Sequence, residues 1–335
     1  MAAWEPLVAR LCGWTREAYV PLRVMLHPEE APAWRRALGV QGACTSVVAG
    51  FILKSRRERL ARYRDLLEVT DDEVVVKPRF RSVEERSQAF QEMEAALRLD
   101  GAFPLWQDEL YPAKTTFASP TLFRYHRGVG PFFGLSQFGT HLNGFVRDET
   151  SGAVSHVWLA TRSATKKRWP LLLDTLVGGG LPADSSALAN MLKESQEEAG
   201  LTPLWTQTRL VAAGSLLYVM DHPFGLVNDT MMVYDLELPR DVVPANQDGE
   251  VDHFDLWPVQ DAVECLWAEP ERFKPDVCLL LLDFFVRHGV LTADNFVDYE
   301  LLQRALRKVE NPYELDNAED TASGMASDGS QRVCR

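Results

Sequence analysis

Residues 179–201 read GGLPADSSALANMLKESQEEAGL, and within five positions of this stretch stand three carboxylates, Glu194, Glu197 and Glu198. A glycine-rich turn (Gly178, Gly179, Gly180) precedes them and Gly200 follows, so the segment reads as turn, helix and helix stop. The helix is predicted from Asp184, whose side chain would cap the first turn, to Ala199. On a helix of 3.6 residues per turn, Glu194 and Glu198 are i and i+4 neighbours and Glu197 lies one turn from Glu194. Carboxylates so crowded repel one another unless a counter-ion joins them. Magnesium, with manganese as the alternative, takes oxygen ligands, keeps several waters and commonly bridges carboxylates to substrate phosphates. The competing reading is a solvated acidic helix face.

The rest of the chain narrows the choices. Its 335 residues suffice for two domains, with 46% hydrophobic residues and a net charge of −13. The acidic balance and the lack of a basic stripe argue against nucleic acid or an anionic membrane as partner. Five scattered cysteines, Cys12, Cys44, Cys265, Cys278 and Cys334, form no C-x-x-C pair and fit reduced thiols. The longest apolar run, Val277 to Val286, is interrupted by Asp283 and reads as a buried helix rather than a membrane span. Cytoplasm is the default location; Arg10, Arg16 and Arg23 near the N-terminus leave an organellar address open.

Residues 1–130 read as a smaller, mainly helical α+β module, from helical spacing at Leu60, Tyr63, Leu66 and Leu67 and at Phe90, Met93 and Leu97, with a strand at Glu73 to Val76. From Phe132 the pattern turns to strands, at Gly139 to Asp148, Val154 to Arg162, Leu210 to Met220 and Met231 to Leu238, with a helix at Val259 to Trp267. Residues 131–312 are therefore expected to form an α/β/α sandwich around a mixed sheet. Residues 313–335, polar and rich in serine and glycine, read as a disordered tail.

The carboxylate stretch resembles the Nudix box, G-x5-E-x7-R-E-U-x-E-E-x-G-U. Gly179 fits its first glycine, Glu194, Glu197 and Glu198 its last three acids, and Gly200-Leu201 its end. Ser185 stands where the first glutamate is expected, Lys193 replaces arginine, and Ser195 takes the apolar position U. Over roughly residues 80–307 the chain is also similar to the thiamine-pyrophosphokinase-related Nudix subfamily, in which an extra N-terminal module precedes the Nudix domain. The segments that carry this are Phe138 to Gly144, Trp158 to Lys167, Trp169-Pro170, Leu173-Asp174, Tyr234 to Pro239, Asp248 to Val251, Phe273-Lys274-Pro275 and Leu282 to Gly289.

The resemblance implies a magnesium-dependent hydrolase that cleaves a phosphoanhydride, with thiamine diphosphate or its damaged analogues as substrate. Glu194, Glu197 and Glu198 would hold metal or orient water, Lys193 would pair with a neighbouring glutamate, and the Gly179 carbonyl and Glu250 would be additional metal donors. Arg162, inside a strand, with Lys166 and Lys167 after it, would meet the anionic diphosphate. Trp158 and Trp169 would stack on its ring, or pack in the core. His141, His156, His253 and His288 lack metal-ligand spacing and read as structural. The expected partner is a small-molecule diphosphate, with a homodimer open. Two alternatives stand beside the hydrolase: a catalytically weak Nudix-fold binding module, motivated by Ser185, and a pyrophosphokinase-like transferase, for which no G-x-x-x-x-G-K-[ST] phosphate loop exists.

Overall fold

Alternation along one strand, Gln137 to Arg147, decides how the C-terminal part is layered. The structure, a computed structural model, describes residues 13–39, 44–103, 106–183 and 185–307. It divides into two compact units, one built on 138–220 and 229–309, the other on 14–137 and 221–228.

In the N-terminal unit the order is β1 (Tyr19–Met25), α1 (Ala31–Leu38), β2 (Ser46–Leu53), α2 (Arg57–Leu60), β3 (Leu67–Val69), β4 (Val74–Val76), α3 (Val83–Leu99), β5 (Leu110–Ala113), β6 (Phe123–His126) and α4 (Gly130–Phe133). A four-stranded sheet runs β2-β1-β4-β3 and β5 pairs with β6. The module is α+β, with more sheet than its helical spacing predicts, because β1 and β2 are buried apolar runs with no alternation to mark them. Ser82 caps α3 through a capping box with Glu85, and the stacked rings of Phe90 and Phe123, 3.8 Å apart, tie α3 to β6. Phe132 and Phe133 lie in this unit's core, and the first strand of the next unit begins at Gln137, two residues before the expected Gly139. The tip of the β-hairpin at 211–237 also belongs to this unit: Asp221 accepts hydrogen bonds from the Tyr19 hydroxyl (2.8 Å) and from the Thr15 backbone N–H (3.0 Å) and hydroxyl (2.8 Å).

The C-terminal unit contains β7 (Gln137–Arg147), β8 (Val154–Arg162), β9 (Leu173–Asp174), β10 (Val177–Gly180), α5 (Ala187–Ala199), α6 (Pro203–Gln207), β11 (Val211–His222), β12 (Gly225–Glu237), β13 (Val251–Pro258), α7 (Val259–Ala268), α8 (Pro275–Arg287) and α9 (Tyr299–Arg307). Its sheet runs β11-β12-β7-β8-β13, with β10 beside β7 and β9 beside β8. Successive side chains of β7 point to opposite faces. Thr140 bonds Asn190 of α5 (2.9 Å), and Leu142 shares a core cluster with Met191. On the other face His141 faces Asp276 of α8 (3.8 Å) and Phe145 meets Phe284 (5.5 Å between centroids). Helices thus cover both faces, the expected α/β/α sandwich. The run Val277 to Val286 is the buried body of α8, and Asp283 is held there by Arg287 (2.6 Å). Residues 313–335 and Asp184 lie outside the described residues.

Candidate active site

The site is built where β10 runs under the second half of α5. Ser186 caps α5 by accepting from the Ala189 N–H (3.1 Å), and Gly200 closes it in the left-handed conformation (φ 69°). The cap thus falls two residues later than predicted, on Ser186. Ser195, at the apolar position of the box, is fully buried; its hydroxyl donates to the Met191 carbonyl (2.6 Å), which satisfies it within the helix.

Two glycines let the helix and the sheet close. A Cβ on Gly179 would lie 2.5 Å from Cγ and Cδ of Glu194, and one on Gly178 would lie 2.8 Å from the His141 ring. Strand alternation explains the pair: Gly179 is in register with Thr140 on the α5 face, Gly178 with His141 on the α8 face.

Glu198 is 5% exposed, and one carboxylate oxygen accepts from the Gly178 N–H (3.0 Å). Burial pushes its pKa up to about 8; repulsion from Asp174 and Glu194 adds to this, while the Gly178 N–H and the charge of Lys166 oppose it. Glu194 is also raised, first by burial and then by Glu197 and Glu250, against the pull of Lys193. Glu197 does not join these two. Its side chain is 48% exposed and bonded to Lys193 (2.6 Å), which also reaches Glu194 (3.3 Å). Glu197 and Lys193 instead line a groove of about 820 Å³ with Leu192, Gln196 and Gln247, and neither Glu194 nor Glu198 lines it. Of the three glutamates, Glu194 and Glu198 thus turn toward β10 and Glu197 turns to solvent.

Among the described residues no group of three or more His, Cys, Asp or Glu side chains is arranged to hold a metal ion. The donor chemistry nonetheless fits a hard cation. Buried Glu198, with little compensating charge, and partly buried Glu194 one turn before it leave the remaining positions to water and substrate oxygens, as magnesium prefers. Glu250 sits immediately before β13 in contact with Lys166, and its charge acts on Glu194. Ser185 lies before the cap; its hydroxyl donates to the Ser186 carbonyl (3.4 Å).

The predicted substrate residues separate. Trp158 is 6% exposed and packs in the core with Leu142, Leu176 and Met191, so it is not presented for stacking. Arg162 is not turned toward the carboxylates: Nη1 donates to Asp174 (2.7 Å), Nε to the Trp169 carbonyl (2.9 Å) and Nη2 to the Arg168 carbonyl (3.0 Å). Lys166 pairs with Glu250, Lys167 is exposed and Trp169 is half-buried.

A second cluster, on the α8 face, is not marked as functional by the residues alone. Asp174 lies between Arg162 (2.7 Å) and Lys274 (3.6 Å), and Lys274 also pairs with Asp276 (2.9 Å). Burial disfavours the Asp174 carboxylate, but Lys274 and Arg162 outweigh it and hold its pKa well below the usual range. His141 is buried, so its pKa falls to about 4, with Lys274 adding to the drop. The Thr175 hydroxyl donates to the Val177 carbonyl (3.1 Å), which leaves it to accept from His141 Nδ1 (3.1 Å) and sets the neutral tautomer. His288 is structural as expected, donating to Asp235 (2.7 Å) in a network with Arg287 and Asn143. The signal for the Asp174 cluster lies in Leu173-Asp174 and Phe273-Lys274-Pro275, segments that join only in three dimensions.

A NUDIX domain model matches residues 141–277, and a model described as Domain of unknown function (DUF4743) matches residues 39–137. Nudix hydrolase 20, chloroplastic, from Arabidopsis thaliana is 33% identical over 266 residues, covering 77% of this chain and 70% of that one. Nudix hydrolase 24, chloroplastic, from the same plant is 35% identical over 267 residues, covering 78% and 70%. The NUDIX domain of Shewanella oneidensis NrtR, solved with ADP ribose, aligns at a TM-score of 0.36 and 15% identity over 46% of this chain and 90% of that one, a likeness that bears on neither substrate nor mechanism.

Proposed function

This chain belongs to the Nudix hydrolase family, and on that premise we propose that it hydrolyses the phosphoanhydride of an organic diphosphate with a divalent metal, magnesium or manganese. The observation that carries the reading is Glu198, a buried carboxylate with one backbone donor, beside Glu194 and against a strand stripped of side chains. Glu194 and Glu198 would hold the ion, with Glu250 and the Gly179 carbonyl as further donors. A bound divalent ion supplies charge neutralisation on the diphosphate and a lowered pKa for its water. Glu194 would hold the ion or orient the attacking water, and Lys193 pairs with Glu194 and Glu197 on the outer face of the helix. Lys166 and Lys167 add positive charge beside the site for the diphosphate. The proposed substrate is thiamine diphosphate or a damaged analogue, supported by the subfamily resemblance of the segments around Asp174 and Lys274. A cytoplasmic location is likewise a proposal, which a fluorescent fusion to the full chain tests. Among the described residues no helix is long and apolar enough to cross a membrane.

The test is phosphate release from thiamine diphosphate, its oxidised analogues, ADP-ribose and nucleoside diphosphates, with and without magnesium. Turnover is expected to require metal and to fall at least about 100-fold in Glu198→Gln, with an unchanged melting temperature. Full activity in that variant would sink the assignment. The binding-module reading is favoured by one observation, a serine hydroxyl at position 185 whose hydrogen bond goes to the neighbouring Ser186 carbonyl and which brings no negative charge. It predicts ligand binding without turnover in the wild type and a gain of turnover in Ser185→Glu.

A further inference from the structure

Between β8 and β9 the chain makes a turn that combines strain with exposure. Trp169 (φ 54°) and Leu171 (φ 62°) are the non-glycine residues with positive φ among those described. Bulky side chains in that region are strained and persist only where neighbours enforce them. A turn that merely connected two strands would be expected to carry glycine or asparagine there. Leu171, moreover, is 60% exposed.

The enforcing group is Arg162. Its guanidinium binds the carbonyls of Arg168 and Trp169 while Nη1 is anchored on the buried Asp174, and its own backbone pairs with Leu171 and Leu172 (3.1 and 3.0 Å). At its other end the turn is fixed to Glu250 twice, by the Lys166 side chain and by the Ser163 N–H donating to the Glu250 carbonyl (2.9 Å). The turn stands beside the carboxylates through Asp174, the anchor of Arg162: Asp174 Oδ1 lies 3.7 Å from where a Cβ on Gly178 would stand, and the Gly178 N–H binds Glu198 (3.0 Å).

We propose that the Lys166 to Leu171 turn is the wall that receives the flat, apolar or aromatic organic part of the diphosphate substrate, and that Arg162 is the positioning residue that holds it. This rests on the proposed hydrolysis for the identity of the site. Arg162 then acts through the turn and does not touch phosphate, which explains why a planar fork with three fixed acceptors stands there.

The test is calorimetric affinity in the presence of magnesium for thiamine diphosphate and ADP-ribose, which carry rings, and for methyl diphosphate, which does not. In Arg162→Lys the affinity for the better-bound ringed ligand is expected to fall about tenfold or more, and that for methyl diphosphate less than about twofold. Leu171→Gly should do the same while raising or preserving the melting temperature, since glycine adopts the left-handed conformation without strain; it carries the test if Arg162→Lys does not fold. Equal losses for ringed and ringless ligands would overturn the proposal, as would a wild type that binds all three alike, or variants that bind like wild type. Binding is read independently of turnover, so an inactive wild type that still prefers ringed ligands refutes the hydrolysis and keeps the wall.

Discussion

Asp174 and Glu198 are both nearly buried acids that flank β10, and they are treated in opposite ways. Asp174 lies between Arg162 and Lys274 and is held ionised; Glu198 has one backbone N–H and is pushed up to about 8. Removing a carboxylate from water is costly unless charge or hydrogen bonds replace the lost hydration. At Asp174 the protein supplies that replacement with two cations brought in from separate segments. At Glu198 it supplies one backbone donor and the charge of Lys166, too little to offset the burial. The contrast separates a cluster that holds the sheet to α8 from a pair of acids available for chemistry.

The comparison can be broken most directly at its compensated half. Asp174→Ala leaves Arg162 and Lys274 without their shared acid, and the expected loss is roughly 3–5 kcal/mol of stability, read from urea midpoints. A midpoint equal to wild type would erase the distinction. Next is pH. A base whose folded pKa is depressed binds fewer protons in the folded state, so His141 contributes nothing adverse above pH 6.5 and destabilises progressively as pH falls toward about 4. The drop from 6.5 to about 4 corresponds to about 3 kcal/mol, measured as the difference between wild type and His141→Gln across that window, because the raised acids titrate in the opposite sense in both proteins. Parallel stability curves for the two proteins would contradict it.

The adjacent glycines sharpen the contrast. Gly178→Ala drives a methyl into the His141 ring and is expected to cost roughly 1–3 kcal/mol of stability. Gly179→Ala meets the longer, less enclosed side chain of Glu194, so turnover should fall roughly 10- to 100-fold with a smaller change in melting temperature. Reversed outcomes would mean that the two faces of β10 have been misassigned. The smallest effect belongs to Lys193→Ala: its pairs with Glu197 and Glu194 are on the outer face of the helix, and their loss is expected to change stability by about 0.5 kcal/mol or less.

Local patterns expose the glycine turn, the helix, its stop at Gly200 and the acids on it, since these features are written within a few residues of one another. They also mark α8, whose apolar run is interrupted only by Asp283, an acid that Arg287 neutralises from one turn further on. β1 and β2 escape because strands buried on both faces show no alternation. Spacing does not tell burial: it leaves Trp158 between stacking and packing, and the same helix that aims Glu198 inward turns Glu197 toward solvent. The partners of Arg162 are out of reach for another reason. Its three acceptors include two backbone carbonyls, and no side-chain pattern records where a carbonyl points.

The hydrogen bonds to Asp221 have a consequence for synthesis and for fragments. The N-terminal unit is discontinuous, completed by residues 221–228 at the tip of the β11–β12 hairpin. A ribosome must deliver that hairpin before Thr15 and Tyr19 find their acceptor, so this unit finishes folding only after about half of the following one has emerged. A fragment ending at Gln137 contains the whole four-stranded sheet yet lacks the carboxylate that receives the Tyr19 hydroxyl, and isolating the module requires that the missing tip be grafted back.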